Sequence, residues 1–196
     1  MIFCKSKRAA KRVKESVTRF IEGKLHLKVN RDKTVVSYVQ GVKYLGYSFY
    51  VMKGKCQLTV HPKAKSKMKA KLKELTSRSN GWGYAKRKQK LEEYIKGWVG
   101  YYHLANMKRF LIETDEWLRR RLRMCIWKSW KRVKTRVANL VKCGIDKYQA
   151  YMWGNSRLGY WRIAGSYILS RAITNEKLSM AGYATLMGSY IEWHPK

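Results

Sequence analysis

The stretch LEEYIKGWVGYYHLANMKRFLIETDEWLRRRLRMCIWKSWKR, residues 91–132, fixes more of the fold than any other part of the chain. In its first half Leu91, Tyr94, Ile95, Trp98, Val99 and Tyr102 recur at helical spacing and form one apolar stripe, so this helix faces a core. Its second half reads as a helix opening after Thr114 as N-cap, with Asp115 and Glu116 in the first turn, where carboxylates suit the positive end of the helix dipole. Leu118, Leu122, Cys125 and Ile126 share one side of it. The remaining arc carries Arg119, Arg120, Arg121, Arg123, Lys128, Lys131 and Arg132, with Trp117, Trp127 and Trp130 among them. So many cations on one short helix repel each other unless a polyanion lies against them, and this arc is read as a nucleic-acid contact face. For Trp127 and Trp130, packing in the core is preferred over stacking on sugars or unpaired bases.

The charge of the whole chain supports that direction. Against 44 Lys and Arg stand 12 Asp and Glu, a formal charge of +32, while 45% hydrophobic residues suffice for a packed core of one or two domains. Such a balance points to a nucleic acid, with an acidic membrane surface as the other possible partner class. No membrane anchor is visible: the uncharged segment Leu178 to Ile191 is shorter than the roughly 20 residues a span requires. At the start, MIFCKSKRAAKR meets charge at Lys5, too early for a secretory signal, so the chain reads as cytoplasmic. Cys4, Cys56, Cys125 and Cys143 are too dispersed for a zinc knuckle and read as small buried hydrophobes.

Taken in order, the first 61 residues read as a small α+β unit. Ala10, Val13, Val17, Phe20 and Ile21 mark a helix face; Leu25, Leu27 and Val29 alternate as a strand; Asn30-Arg31-Asp32 turns; Thr34 to Tyr38 is a second apolar run, and Val42 to Val51 reads as another strand. Lys53-Gly54-Lys55 is a hairpin turn leading back to Val60. Pro62 then suits the first position of a helix to about Ser77, with Ala64, Met68, Leu72 and Leu75 as its buried line. Lys63, Lys65, Lys67, Lys69, Lys71 and Lys73 wind around the rest of it, either as a solvated face or, the reading preferred here, as a second phosphate-binding helix. SRSNGWG, residues 77–83, is a connector. Beyond residue 138 a glycine-punctuated helical tail has runs at Lys147 to Trp153, Ser166 to Ile173 and Asn175 to Tyr190. There Arg157 and Arg162 lie near Gly154, Gly159 and Gly165, positions that serve either close phosphate approach or ordinary caps and turns.

Chemistry is harder to find. The three aspartates, Asp32, Asp115 and Asp146, are scattered, whereas metal-assisted nucleotidyl transfer needs carboxylates converging on Mg²⁺. His26, His61, His103 and His194 show no metal-ligand spacing, and no phosphate-cradling Gly-rich loop is present. From the residues alone, this is a binding protein with no catalytic, metal or cofactor site of its own.

IKGWVGYYHLANMKRFLIETDEWLRRRLRMCIWKSWKR, residues 95–132, closely resembles the maturase-specific, or X, domain of bacterial group II intron reverse transcriptases. The lysine helix and TSRSNGWG resemble the start of the family's thumb, and WGNSRLGYWRIAGSYIL, residues 153–169, its C-terminal region. LHLKVNRDKT and VKYLGYSFY, residues 25–34 and 42–50, are similar to the last palm blocks. The resemblance implies three parts: residues 1–61 as the end of a palm, residues 62–138 as thumb and X domain, and residues 139–196 as a helical, DNA-binding C-terminal region. The expected fold class is therefore α+β, a small antiparallel-sheet remnant of a palm followed by a mainly helical thumb/maturase domain.

One departure shapes the functional expectation. The family's Tyr-x-Asp-Asp turn, which holds catalytic Mg²⁺, precedes the strand that MIFCKS resembles, and no Asp-Asp pair occurs in this chain. The chain also closes at His194-Pro195-Lys196 without a Cys/His-rich endonuclease module. The expectation is an RNA-binding C-terminal portion of such an enzyme, not catalytic alone. By resemblance it binds group II intron RNA to assist splicing and retrohoming, with a DNA target as a further partner and Mg²⁺ belonging to the intact enzyme. The alternative is one half of a split RNA-directed DNA polymerase, active only with an N-terminal reverse transcriptase half. Lys33, in a late palm block, is implied as a candidate proton donor to pyrophosphate, although a surface lysine in a turn needs no such role.

Overall fold

The computed structural model describes residues 1–194; Pro195 and Lys196, at the end of the chain discussed above, lie outside the described residues. The fold is α+β, and it divides into two compact units, Met1–His61 and Pro62–Lys196.

In the first unit, helix α1 (Lys7–Lys24) opens on Ser6, whose hydroxyl accepts from the Ala9 N–H at 3.2 Å. A three-stranded antiparallel sheet follows, ordered β1 (Lys43–Tyr44), β2 (Tyr47–Met52), β3 (Lys55–Val60). Its register pairs Tyr50 with Gln57, and the Tyr50 hydroxyl donates to Gln57 Oε1 at 2.6 Å. The hairpin at Lys53-Gly54 has positive φ at both central residues, as a type I′ turn needs.

Two strand expectations here are corrected, and the apolar run between them is irregular. Leu25 to Val29 is irregular: His26 has φ +52°, which interrupts an extended run, and the Leu27 N–H turns back to the Ile21 carbonyl. Thr34 to Tyr38 is irregular too, because Thr34 returns both its N–H and its hydroxyl to the Asn30 carbonyl instead of to a neighbouring strand. Val42 to Val51 is two strands, split at Leu45-Gly46 by a second pair of positive φ angles.

The second unit is all-helical: α2 (Pro62–Leu75), α3 (Tyr84–Tyr102), α4 (Lys108–Ser129), α5 (Val133–Lys142), α6 (Lys147–Gly154), α7 (Tyr160–Ala164), α8 (Tyr167–Ala172), α9 (Asn175–Met180) and α10 (Leu186–Glu192). The stripe read on α3 is the buried one, with Leu91, Ile95 and Val99 almost inaccessible. Helix α4 begins at Lys108, about two turns before the expected start. Thr114 is therefore interior and returns its hydroxyl to the Phe110 carbonyl at 2.7 Å, while Asp115 caps a different helix, its carboxylate accepting from the Leu186 and Met187 N–H groups at 2.9 Å each. That cap lets the run Asn175 to Tyr190 break into α9 and α10, with Gly182 at φ +82° in the turn between them.

Helix α4 packs against α2, α7 and α10, and so it is buried on several sides. Leu111, Leu118, Leu122, Met124, Cys125 and Trp127 all lie in the core. No helix among the described residues is long and apolar enough to cross a membrane.

Candidate nucleic-acid interface

The cations of α4 do not form one open arc. Arg119 is buried and donates to the Asn175 carbonyl at 3.1 Å and to Ser179 Oγ at 3.3 Å. Arg123 donates to the Ile173 carbonyl at 2.8 Å and to Asn175 Oδ1 at 2.9 Å. Arg121 turns the opposite way, to Thr76 Oγ1 at 2.5 Å and to the carbonyls of Lys73 and Thr76 at 3.0 Å each. The Lys73, Thr76 and Ile173 carbonyls stand at the C-terminal ends of α2 and α8, where backbone acceptors lack intrahelical donors, whereas the Asn175 carbonyl belongs to the first residue of α9. Burial holds Arg121 and Arg123 below the usual arginine value. The expected cationic face is thus corrected: Arg119, Arg121 and Arg123 are internal struts tying α4 to α2 and α9. Trp127 and Trp130 take the packing role preferred above, at 1% and 8% exposure, their rings 5.8 Å apart.

What remains open gathers around α7. The Arg120 guanidinium lies 4.0 Å from the Trp161 ring centroid and donates to the Trp161 carbonyl at 2.9 Å. Arg78 of the connector and Lys128 of α4 both lie over the Tyr160 ring, at 4.8 and 5.0 Å. Two segments distant in sequence, the connector and α4, therefore deliver Arg78, Arg120 and Lys128 to two adjacent aromatic rings, with exposed Arg162 next in the same helix as the rings. Arg157 is exposed in the loop before α7, and Lys131 and Arg132 are exposed in the turn between α4 and α5. Cations held over aromatic faces beside further exposed cations are the chemistry that meets phosphates and unstacked bases. Arg78 escaped the sequence reading because its connector gives no periodic signal.

On α2, Lys63, Lys67, Lys69, Lys71 and Lys73 are exposed. Lys65 is half-buried with its ammonium 4.9 Å from the Phe110 ring centroid, and Lys69 sits 5.5 Å from the same ring. Burial lowers the Lys65 value, Glu113 opposing and Lys69 adding to the effect. Lys71 pairs with Glu74 at 2.8 Å, a solvent-exposed contact of small energetic weight.

The glycines near Arg157 and Arg162 serve packing in two cases. A Cβ at Gly154 would stand 2.7 Å from Val137 Cγ2, and one at Gly165 would collide with the Arg120 guanidinium. Gly159 faces open space.

The carboxylates do not suit a magnesium site. Asp32 lies in an exposed turn, Asp115 caps α10, and Asp146 caps α6 by accepting from the Tyr148 and Gln149 N–H groups at 2.9 and 3.3 Å. No group of three or more His, Cys, Asp or Glu among the described residues could hold a metal ion.

No curated protein matches the chain. Residues 65–144, from α2 through α5, match the family model of the group II intron, maturase-specific domain. That match supports a group II intron maturase-type protein.

Proposed function

We propose that the chain is an RNA-binding C-terminal portion of a group II intron reverse transcriptase/maturase, which holds intron RNA in its active fold during splicing and takes part in retrohoming in the cytoplasm. The observation that carries this reading is the match of residues 65–144 to the maturase-specific domain, on a chain of charge +32. Phosphates are met by Lys63, Lys67, Lys69, Lys71 and Lys73 of α2, and by Lys131, Arg132, Arg157 and Arg162 around α7. Arg78, Arg120 and Lys128 reinforce Tyr160 and Trp161 as a platform for unstacked bases. The chain's own residues bind and position; no catalytic step is assigned to them.

Affinity for structured intron RNA, measured by filter binding across a salt series, is expected to fall with a log–log slope of about −0.7 to −0.9 per phosphate neutralised. Affinity that stays flat across that series overturns the reading. In parallel, intron splicing at low magnesium should accelerate when the protein is added.

One observation favours the alternative, half of a split polymerase. Phe3, Val17, Phe20 and Leu27 in the first unit are 76%, 37%, 53% and 60% exposed, an apolar surface suited to a protein partner. Mixing with an N-terminal reverse transcriptase half should then give DNA synthesis on a primed RNA template, and this chain alone should give none.

A further inference from the structure

The second unit contains a pocket of about 460 Å³ away from the α7 cluster, lying where the start of α3, the end of α4 and the α8–α9 region meet. That volume falls within the roughly 300–1,000 Å³ of small-ligand sites. Its walls include three aromatic residues, Tyr84, Trp130 and Tyr183, with Ile173 and Leu178 closing the apolar side. Trp130 is backed by Trp127, and the Tyr84 hydroxyl is tied to Ser129 by a short hydrogen bond. The aromatic surfaces are therefore set in place before any ligand arrives.

Two lysines complete the lining, and no carboxylate does. Lys177 Nζ donates to the Cys143 carbonyl at 2.6 Å and to the Ala172 carbonyl at 3.1 Å; Lys88 Nζ donates to the Ala181 carbonyl at 3.4 Å. An ammonium has three donors, so Lys177 keeps one and Lys88 keeps two for an incoming anion. A third cation is nearby: Arg87 is buried, its Nε has no hydrogen-bond partner, its guanidinium donates to Asn80 Oδ1 at 3.1 Å, and its charge opposes the burial that raises the Tyr183 phenol. An apolar slot with aromatic walls, two lysines and no carboxylate in its lining suits a flat, electron-rich ring that carries a phosphate.

We propose that this pocket receives one unpaired nucleobase of a bound RNA, stacked against the exposed Tyr84 ring, with its flanking phosphate at Lys88 and Lys177. The proposal rests on the RNA-binding reading above. An apolar side chain of a protein partner would fit the walls, yet it would leave both ammoniums without an anion.

The test uses the full chain and two short RNA duplexes of equal phosphate count, one fully paired and one carrying a single bulged 2-aminopurine. At fixed salt the bulged duplex is expected to bind about tenfold tighter, within the range of one base–aromatic stack, and its 2-aminopurine emission should be quenched on binding. Ala181→Trp, at an exposed position of the lining, should fill the slot and erase that preference while leaving affinity for the paired duplex unchanged; circular dichroism checks its fold. Tyr84→Ala, 48% exposed, should weaken the preference several-fold without disturbing the core. Equal binding of the two duplexes, or a preference that survives Ala181→Trp, overturns the pocket assignment and leaves RNA binding standing. Failure of both duplexes to bind overturns the RNA-binding reading along with it. An acidic, leucine-bearing peptide whose binding is lost in Ala181→Trp, with no bulge preference, assigns the slot to a protein partner and overturns the proposal.

Discussion

Helices α1 and α2 each open a unit and each carry an apolar line at helical spacing, but the two lines meet different fates. On α2, Met68 and Leu72 are fully buried and Leu75 nearly so; on α1, Val17 and Phe20 stay 37% and 53% exposed, and no residue of that helix is buried. The difference lies in what surrounds them. Helix α2 packs against α3 and α4, whereas α1 belongs to a unit whose sheet has only three strands and whose buried core is Val60. Periodicity identifies the face a helix can bury, and neighbours decide whether it is buried.

The largest effect should come from the packed helix. Leu118→Ala in α4 is expected to cost about 2–5 kcal/mol in denaturant unfolding, while Phe20→Ala in α1 should cost no more than about 0.5 kcal/mol. Equal costs would break the contrast between the units. Next, Arg119→Ala should destabilise by about 1.5–3 kcal/mol, because it removes a buried guanidinium together with its charge-assisted hydrogen bonds to Asn175 and Ser179. Lys67→Ala should leave stability within about 0.5 kcal/mol yet reduce the salt slope of RNA binding by about 0.7–0.9. If instead Arg119→Ala reduced that slope at unchanged stability, Arg119 would be a phosphate contact and not a strut.

Gly154→Ala should cost about 1–3 kcal/mol by crowding buried Val137, against nearly nothing for Gly159→Ala, and thermal melts of the two variants measure the gap. The smallest effect concerns Asp115. Burial holds its folded carboxyl above the ordinary value, outweighing the opposing Met187 and Leu186 N–H bonds and Arg119. A raised folded value means that its contribution is complete below the unfolded value of about 3.9 and is lost as pH rises through the folded one. The stability of the wild type relative to Asp115→Asn should therefore decline from about pH 4 upward in denaturant titrations. A rise over that range would show that the two N–H bonds outweigh burial.

The helices of the second unit were legible because their apolar residues repeat over many turns: α2 and α3 came out with the right faces, and the Lys53-Gly54 turn was marked by its own dipeptide. Leu25 to Val29 was not legible, since alternation over five residues says nothing about whether a partner strand exists. The two helices hidden in Asn175 to Tyr190 were missed because the carboxylate that caps the second, Asp115, stands some 70 residues earlier. For the candidate interface, charge excess pointed to a polyanion, but local spacing could not separate Arg119, Arg121 and Arg123, which reach carbonyls of other helices, from Arg120 and Lys128, which lie over aromatic rings.

The amino-acid order by itself determined the basic character of the chain, the buried faces of its long helices and its likeness to a maturase, since each is written in composition or in repeats within a few turns. Only the tertiary structure decided which cations are struts and which stand beside aromatic rings, and that Tyr84, Lys88, Trp130, Lys177 and Tyr183 share one pocket. Those choices depend on donors meeting acceptors from segments 40 to 90 residues apart, and a guanidinium has the same local spacing whether it faces a carbonyl or the solvent.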